Sequence, residues 1–111
     1  MAPGSKEAHI GLQPTTPQDL AFVLAAEQHP DNRPYVIQWT AEQHLGCMKD
    51  AEGRHFLVVA DGKRVGYIIL TVQDRVVELK RLVITEKGVG YGRLALQAVK
   101  RLAFEAWGAH R

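Results

Sequence analysis

A chain of 111 residues allows one domain with an ordinary core and leaves no room for a second. Its 46% hydrophobic and 23% charged residues are the composition of a folded globular protein, which excludes a disordered chain. The formal charge of +2 is spread along the sequence and argues against a dedicated nucleic-acid or membrane binder, the single Cys47 excludes an internal disulfide, and no apolar run approaches the roughly 18 residues of a membrane span.

The first residues, "MAPGSKEAH", lack the apolar core of a signal peptide, so a cytoplasmic protein is expected. A short strand is predicted over 9–13. "TTPQDLAFVLAAEQ" follows with a helix start: Thr16 caps, Pro17 suits the first helical position, and Asp19 stands where a capping-box side chain reaches back. Leu20, Val23 and Leu24 share a face, and Pro30 stops the helix. "HPDNRPYVIQW" has neither a helical nor an alternating period and reads as an irregular connection.

Thr40 and Gln43 repeat the capping-box spacing, and "AEQHLGCMKDAE" predicts a second helix ending near Gly53. The period then changes. Residues 55–60, 64–73 and 76–84 are rich in β-branched and aromatic side chains and predict three strands, joined by tight turns at Asp61-Gly62 and Asp74-Arg75. Over 90–107, Leu94, Ala95, Ala98, Val99, Leu102 and Ala106 recur at spacings of three and four and form the buried stripe of a last helix, ended by Gly108. The order is β-α-α-β-β-β-α, an α/β (α+β) arrangement on a mainly antiparallel sheet.

At the last strand-to-helix junction stand Gly88, Gly90 and Gly92, flanked by Lys87 and Arg93. Glycines there let the backbone approach a ligand closely, and the first turn of a helix offers unpaired N–H groups and the positive end of the macrodipole. The combination fits an anionic ligand. A Walker loop would need Ser or Thr after Gly-Lys, and a dinucleotide fingerprint would need G-x-G-x-x-G after the first strand of a parallel sheet, so neither nucleotide fold matches. His44 and Cys47 lie one helical turn apart and could supply two metal ligands, but nothing completes a tetrahedral set, so no metal is expected.

The run Lys87-Gly88-Val89-Gly90-Tyr91-Gly92 resembles the pyrophosphate loop of the GCN5-related N-acetyltransferase (GNAT) family, with Lys87 where Gln or Arg is usual, and the element order before it is similar to that family's. The resemblance implies transfer of an acetyl group from acetyl-coenzyme A, as co-substrate, to an amine acceptor. It implies that the backbone of Leu82, Val83 and Ile84 pairs with the pantetheine arm, that the amides from Gly88 to Arg93 hold the pyrophosphate, and that Lys87 or Arg93 reaches a phosphate. A carboxylate on the fourth strand often takes the amine proton in this family; Glu78 is the acid there, with an ion pair to Lys80 as its rival role. Alternation would set Glu78 on the face of Lys80, Leu82 and Ile84. Arg33, Tyr35 and Trp39 stand in the connection that usually lines the acceptor pocket.

The family's later elements, including the fifth strand and fourth helix, have no counterpart in this sequence. One partial N-acetyltransferase domain over 1–111 is therefore expected, either a fragment of a longer enzyme, a non-catalytic coenzyme A binder, or a chain that forms a homodimer through the open edge of its fourth strand.

Overall fold

The structure, a computed structural model, describes residues 9–30, 32, 34, 38–86 and 90–107. Four strands, β1 (Ile10–Pro14), β2 (Gly53–Ala60), β3 (Lys63–Gln73) and β4 (Val76–Ile84), form one antiparallel sheet in the order β1-β2-β3-β4. Helices α1 (Leu20–Gln28) and α2 (Ala41–Lys49) lie between β1 and β2 in the chain, and α3 (Tyr91–Trp107) follows β4. The expected order and the mainly antiparallel sheet are therefore both found.

Both helix starts use the local chemistry read from the sequence. The Asp19 carboxylate accepts from the Thr16 N–H and hydroxyl at 2.9 Å each, closing a single 3-10 turn, Pro17–Asp19, before α1. At α2, the Gln43 N–H donates to Thr40 Oγ1 and the Thr40 N–H donates back to Gln43 Oε1, a reciprocal box. α2 ends at Lys49, earlier than expected, because Asp50 leaves helical geometry and its carboxylate accepts from the Glu52 N–H in a turn that delivers Gly53 to β2.

The sheet has a core on each face. On one, Val58, Ala60, Ile68, Leu70 and Ile84 pack with Ala95 and Val99 of α3; on the other, Leu57, Val59, Tyr67, Ile69 and Val83 pack with Val23 and Ala26 of α1. Burying each Val, Leu or Ile side chain among them contributes about 1.5–3 kcal/mol, which makes these two layers the main stabilising force. Arg93, Gln97, Lys100, Arg101 and Glu105 turn to solvent, as the helical period requires.

Two bulges interrupt the alternation. One lies between the Val58–Gly66 and Val59–Arg64 pairs; the other, on β4, separates Ile69–Arg81 from Leu70–Leu79 and leaves Lys80 as the extra residue. At Gly66 the strands come so close that a Cβ would stand 2.1 Å from the Val83 carbonyl oxygen.

Candidate active site

Of the site candidates, the described ones lie on β4, at the start of α3 and, for Trp39, just before α2. Val83 does not fill its expected role. Its carbonyl is directed at Gly66 of β3, and the Thr85 N–H donates to the Val65 carbonyl, so the backbone groups of Val83 belong to the β3–β4 ladder. The outward groups are those of Leu82 and Ile84. The Ile84 carbonyl is itself engaged by the side-chain amide of buried Asn32, which also donates to the Ala26 carbonyl and so ties the end of α1 to β4.

At the junction, Gly90 holds φ +85°, a conformation that favours glycine, and its carbonyl accepts the first bond of α3, from the Leu94 N–H at 3.1 Å. The N–H groups of Tyr91 and Gly92 therefore precede the helix's first i→i−4 bond. The Tyr91 ring packs against the α3 core, so that its contribution to a loop is its backbone. Arg93 is exposed on the first turn. Lys87, Gly88 and Val89, like Arg33 and Tyr35, lie outside the described residues.

The bulge at Lys80 corrects the expected face of Glu78. Paired with Thr71, Glu78 lies on the α1/α2 face with Arg81 and Val83, whereas Leu82 and Ile84 pack toward α3. Its carboxylate is 62% exposed and forms a 2.7 Å ion pair with Lys80. The hydrogen bond and charge of Lys80 hold the Glu78 carboxyl below the ordinary carboxylate range.

Behind this surface lies a buried cluster that the sequence reading missed. Glu27, wholly buried on α1, accepts through Oε1 from the Tyr67 hydroxyl at 2.7 Å, His44 Nε2 at 2.9 Å and Arg81 Nη1 at 3.1 Å, and through Oε2 from the Trp39 N–H at 2.7 Å. His44 Nδ1 stands 3.1 Å from His55 Nε2, and His55 Nδ1 stands 2.8 Å from Thr15 Oγ1. Assigning tautomers from these partners gives one consistent chain: Thr15 donates to His55, His55 to His44, and His44 to Glu27. Burial lowers the His44 pKa, and burial with the neighbouring His44 and Arg81 charges lowers that of His55 to about 4. Burial likewise keeps the Tyr67 phenol protonated as a donor. The half-legible signals were His44 and His55 at inward positions of a helix and a strand.

Arg81 leaves the cluster and enters a cavity of about 500 Å³ beside β4, where its guanidinium lies over the Trp39 ring, 4.6 Å from the centroid. Trp39, of the three acceptor-pocket candidates, is thus at a cavity wall. Cys47 also lines it, while both ring nitrogens of His44 are engaged by Glu27 and His55, so these two do not form the ligand pair that their spacing allowed.

Among the described residues no helix is long and apolar enough to cross a membrane. No curated protein sequence matches the chain. Three solved structures are similar to it: an acetyltransferase from Thermus thermophilus (26% identity, 90% of this chain and 71% of that one, TM-score 0.65), the ribosomal-protein-S18-alanine N-acetyltransferase from Escherichia coli (15%, 86% and 59%, 0.68), and an N-acetyltransferase from Thermoplasma acidophilum in complex with coenzyme A (15%, 86% and 72%, 0.65). The chain thus spans between 59% and 72% of the length of these neighbours. The sequence model of the acetyltransferase (GNAT) family matches residues 16–111, which together with the four-stranded sheet and the glycine junction after β4 means that the chain belongs to the GNAT acetyltransferase family.

Proposed function

We propose that the chain takes part in transfer of an acetyl group from acetyl-coenzyme A to an amine. The observation that carries this reading is the junction of β4 with α3, where Gly90 at positive φ and the leading N–H groups of Tyr91 and Gly92 open a helix that follows a strand whose Leu82 backbone points outward. Backbone donors at a helix N-terminus suit a pyrophosphate, and the outward groups of Leu82 and the Ile84 N–H suit the amides of the pantetheine arm. Lys87, Gly88, Val89 and Arg93 complete the proposed loop. The similarity to a coenzyme A complex supports the same co-substrate.

The transfer is balanced by an amine lone pair that forms the new C–N bond, cleavage of the thioester C–S bond, and passage of one amine proton away as the thiolate takes one up. Glu78 or a water takes the amine proton in this reading, and Arg33, Tyr35 and Trp39 border the acceptor. Titration of coenzyme A into the purified chain tests it: micromolar binding is expected, with thiol release from acetyl-coenzyme A in the presence of a mixed amine panel. Absence of binding at millimolar coenzyme A would overturn the reading.

A second reading rests on the edge of β4, which has no strand partner among the described residues and carries Val76 and Leu79 half exposed. Such an edge favours pairing with another chain. In this reading two copies form a homodimer there, and a coenzyme A complex that never turns over marks a non-catalytic binder. Light scattering with and without coenzyme A separates the two.

A further inference from the structure

In a regular strand Lys80 and Arg81 would point to opposite faces of the sheet. The bulge on β4 makes both of them line the same cavity, against Trp39, Ile69 and Thr71. Two consecutive cations on one wall are a costly arrangement unless something faces them. Glu78 faces Lys80, but that pair is half exposed and exchangeable.

Arg81 is held differently. Its Nη1 is bonded to Glu27 and lies 3.4 Å from the Tyr67 hydroxyl, and its plane is laid on Trp39. Among the described residues no acceptor engages Nε or Nη2, and neither is an orphaned buried atom, so this edge of the guanidinium opens to the cavity. The free Nε–Nη2 edge is a two-donor fork of the kind that takes a carboxylate in a bidentate manner, and it is already fixed in orientation by the Glu27 bond and the Trp39 stack. The cavity volume is that of a small-molecule site. The other charged residue of its lining is Asp50, whose Oδ1 accepts the Glu52 N–H.

We propose that the bulge-paired Lys80 and Arg81 bind the carboxylate of the acceptor, which makes the acceptor a small amine carrying a carboxylate, as in an amino acid. This rests on the acetyl-transfer reading. Arg81 is the specificity-determining residue, and Glu27 and Trp39 position it.

The test uses N-acetyl-L-alanine and N-acetyl-L-leucine, each beside its carboxamide, titrated without coenzyme A into the Trp107→Phe protein, in which Trp39 is the remaining tryptophan reporter. At least one acid is expected to change Trp39 emission and to bind roughly tenfold or more tightly than its amide, as loss of a charge-assisted bidentate contact predicts. Arg81→Lys keeps a charge opposite Glu27 but loses the fork, and Lys80→Met removes an exposed cation together with its half-exposed pair to Glu78; both are expected to weaken the acid and leave the amide unchanged. Equal binding of acid and amide, no binding of either acid, or an Arg81→Lys protein that melts normally and keeps the preference would overturn the proposal. Titration of coenzyme A into the same proteins reads the acetyl-transfer proposal separately, since its failure leaves the acid preference measurable.

Discussion

His44 Nε2 lies 2.9 Å from Glu27 Oε1, and solvent reaches neither side chain. Glu27 thereby joins α1 to α2, and through Tyr67, Arg81 and the Trp39 N–H it joins both helices to β3, β4 and the chain segment before α2. Removing it leaves a largely buried guanidinium and three neutral donors without their acceptor. Glu27→Ala is therefore expected to cost about 3–5 kcal/mol, the range for breaking a buried charge pair. Urea unfolding measures this, and a loss below about 1 kcal/mol would mean that the cluster is not an ordering element.

The two buried histidines give stability a direction in pH. His55 has a folded-state pKa of about 4 against an ordinary 6.5, so the unfolded chain binds its proton first as pH falls. Stability is present above about pH 6.5, declines as pH drops toward 4, and levels off below that, with a total loss near 3 kcal/mol from this group and a further loss in the same direction from His44. Urea midpoints taken between pH 8 and pH 4 should trace the decline. His55→Gln should flatten it; an unchanged slope in that variant would assign the effect elsewhere.

Legibility in the sequence followed the range of the interactions. The two capping boxes and the turns depend on residues within a few positions of one another and were found where their patterns lay, while of the α3 stripe Ala95 and Val99 are buried and Leu94, Ala98 and Leu102 partly so, with Ala103 joining them. The Glu27 cluster draws on partners up to 54 positions apart, Glu27 to Arg81, and no local period announces that these polar side chains meet. The face of Glu78 was misread for a related reason: alternation assumes a regular strand, and the extra residue at Lys80 is set by pairing with β3, which a single strand's sequence does not display. The glycine junction was legible as chemistry, but the outward backbone groups of β4 emerged only from the ladder register.

Gly66 and Gly92 should respond to alanine in opposite ways. A Cβ at Gly66 meets the Val83 carbonyl oxygen at 2.1 Å, so β3 and β4 must separate where they carry the site. A destabilisation above about 3 kcal/mol, or failure to accumulate in soluble form, is expected. At Gly92 the same atom finds ordinary contacts with Ile84 and Leu82 side chains at 3.9–4.0 Å. Gly92→Ala should fold normally and melt within a few degrees of the parent; thermal scans of the two proteins side by side check both.

The β3–β4 turn offers a stabilising change. Asp74 and Arg75 hold φ of 51° and 64°, the left-handed pair of a hairpin turn in which glycine is favoured at the second position. The neighbouring turn has Gly62 there, with φ 83°. Arg75→Gly removes the Cβ strain and loses some of that gain to the greater freedom of glycine when unfolded, leaving about 0.5–1 kcal/mol, or roughly 3–6 °C in Tm. A lower Tm would mean that the arginine side chain supports the turn.

Glu78 tests how far the family's chemistry transfers to this strand. A general base must reach the amine and hold a proton affinity near that of the working pH. Glu78 faces solvent, and Lys80 holds its carboxyl below the ordinary range, so it is ionised at neutral pH but a poor proton acceptor. Where acetyl transfer is measured, Glu78→Gln should lower kcat by about threefold at most, against ~10²–10⁴-fold for loss of a working general base. The neutral side chain also frees Lys80 from its partner, so an acceptor that carries a carboxylate should bind the variant more tightly, and KM should fall while kcat stays near the parent value. A large fall in kcat with unchanged KM would instead make Glu78 the base and require the acceptor amine to approach over the Thr71–Glu78 pair, at the edge of the Arg81 cavity that Thr71 lines.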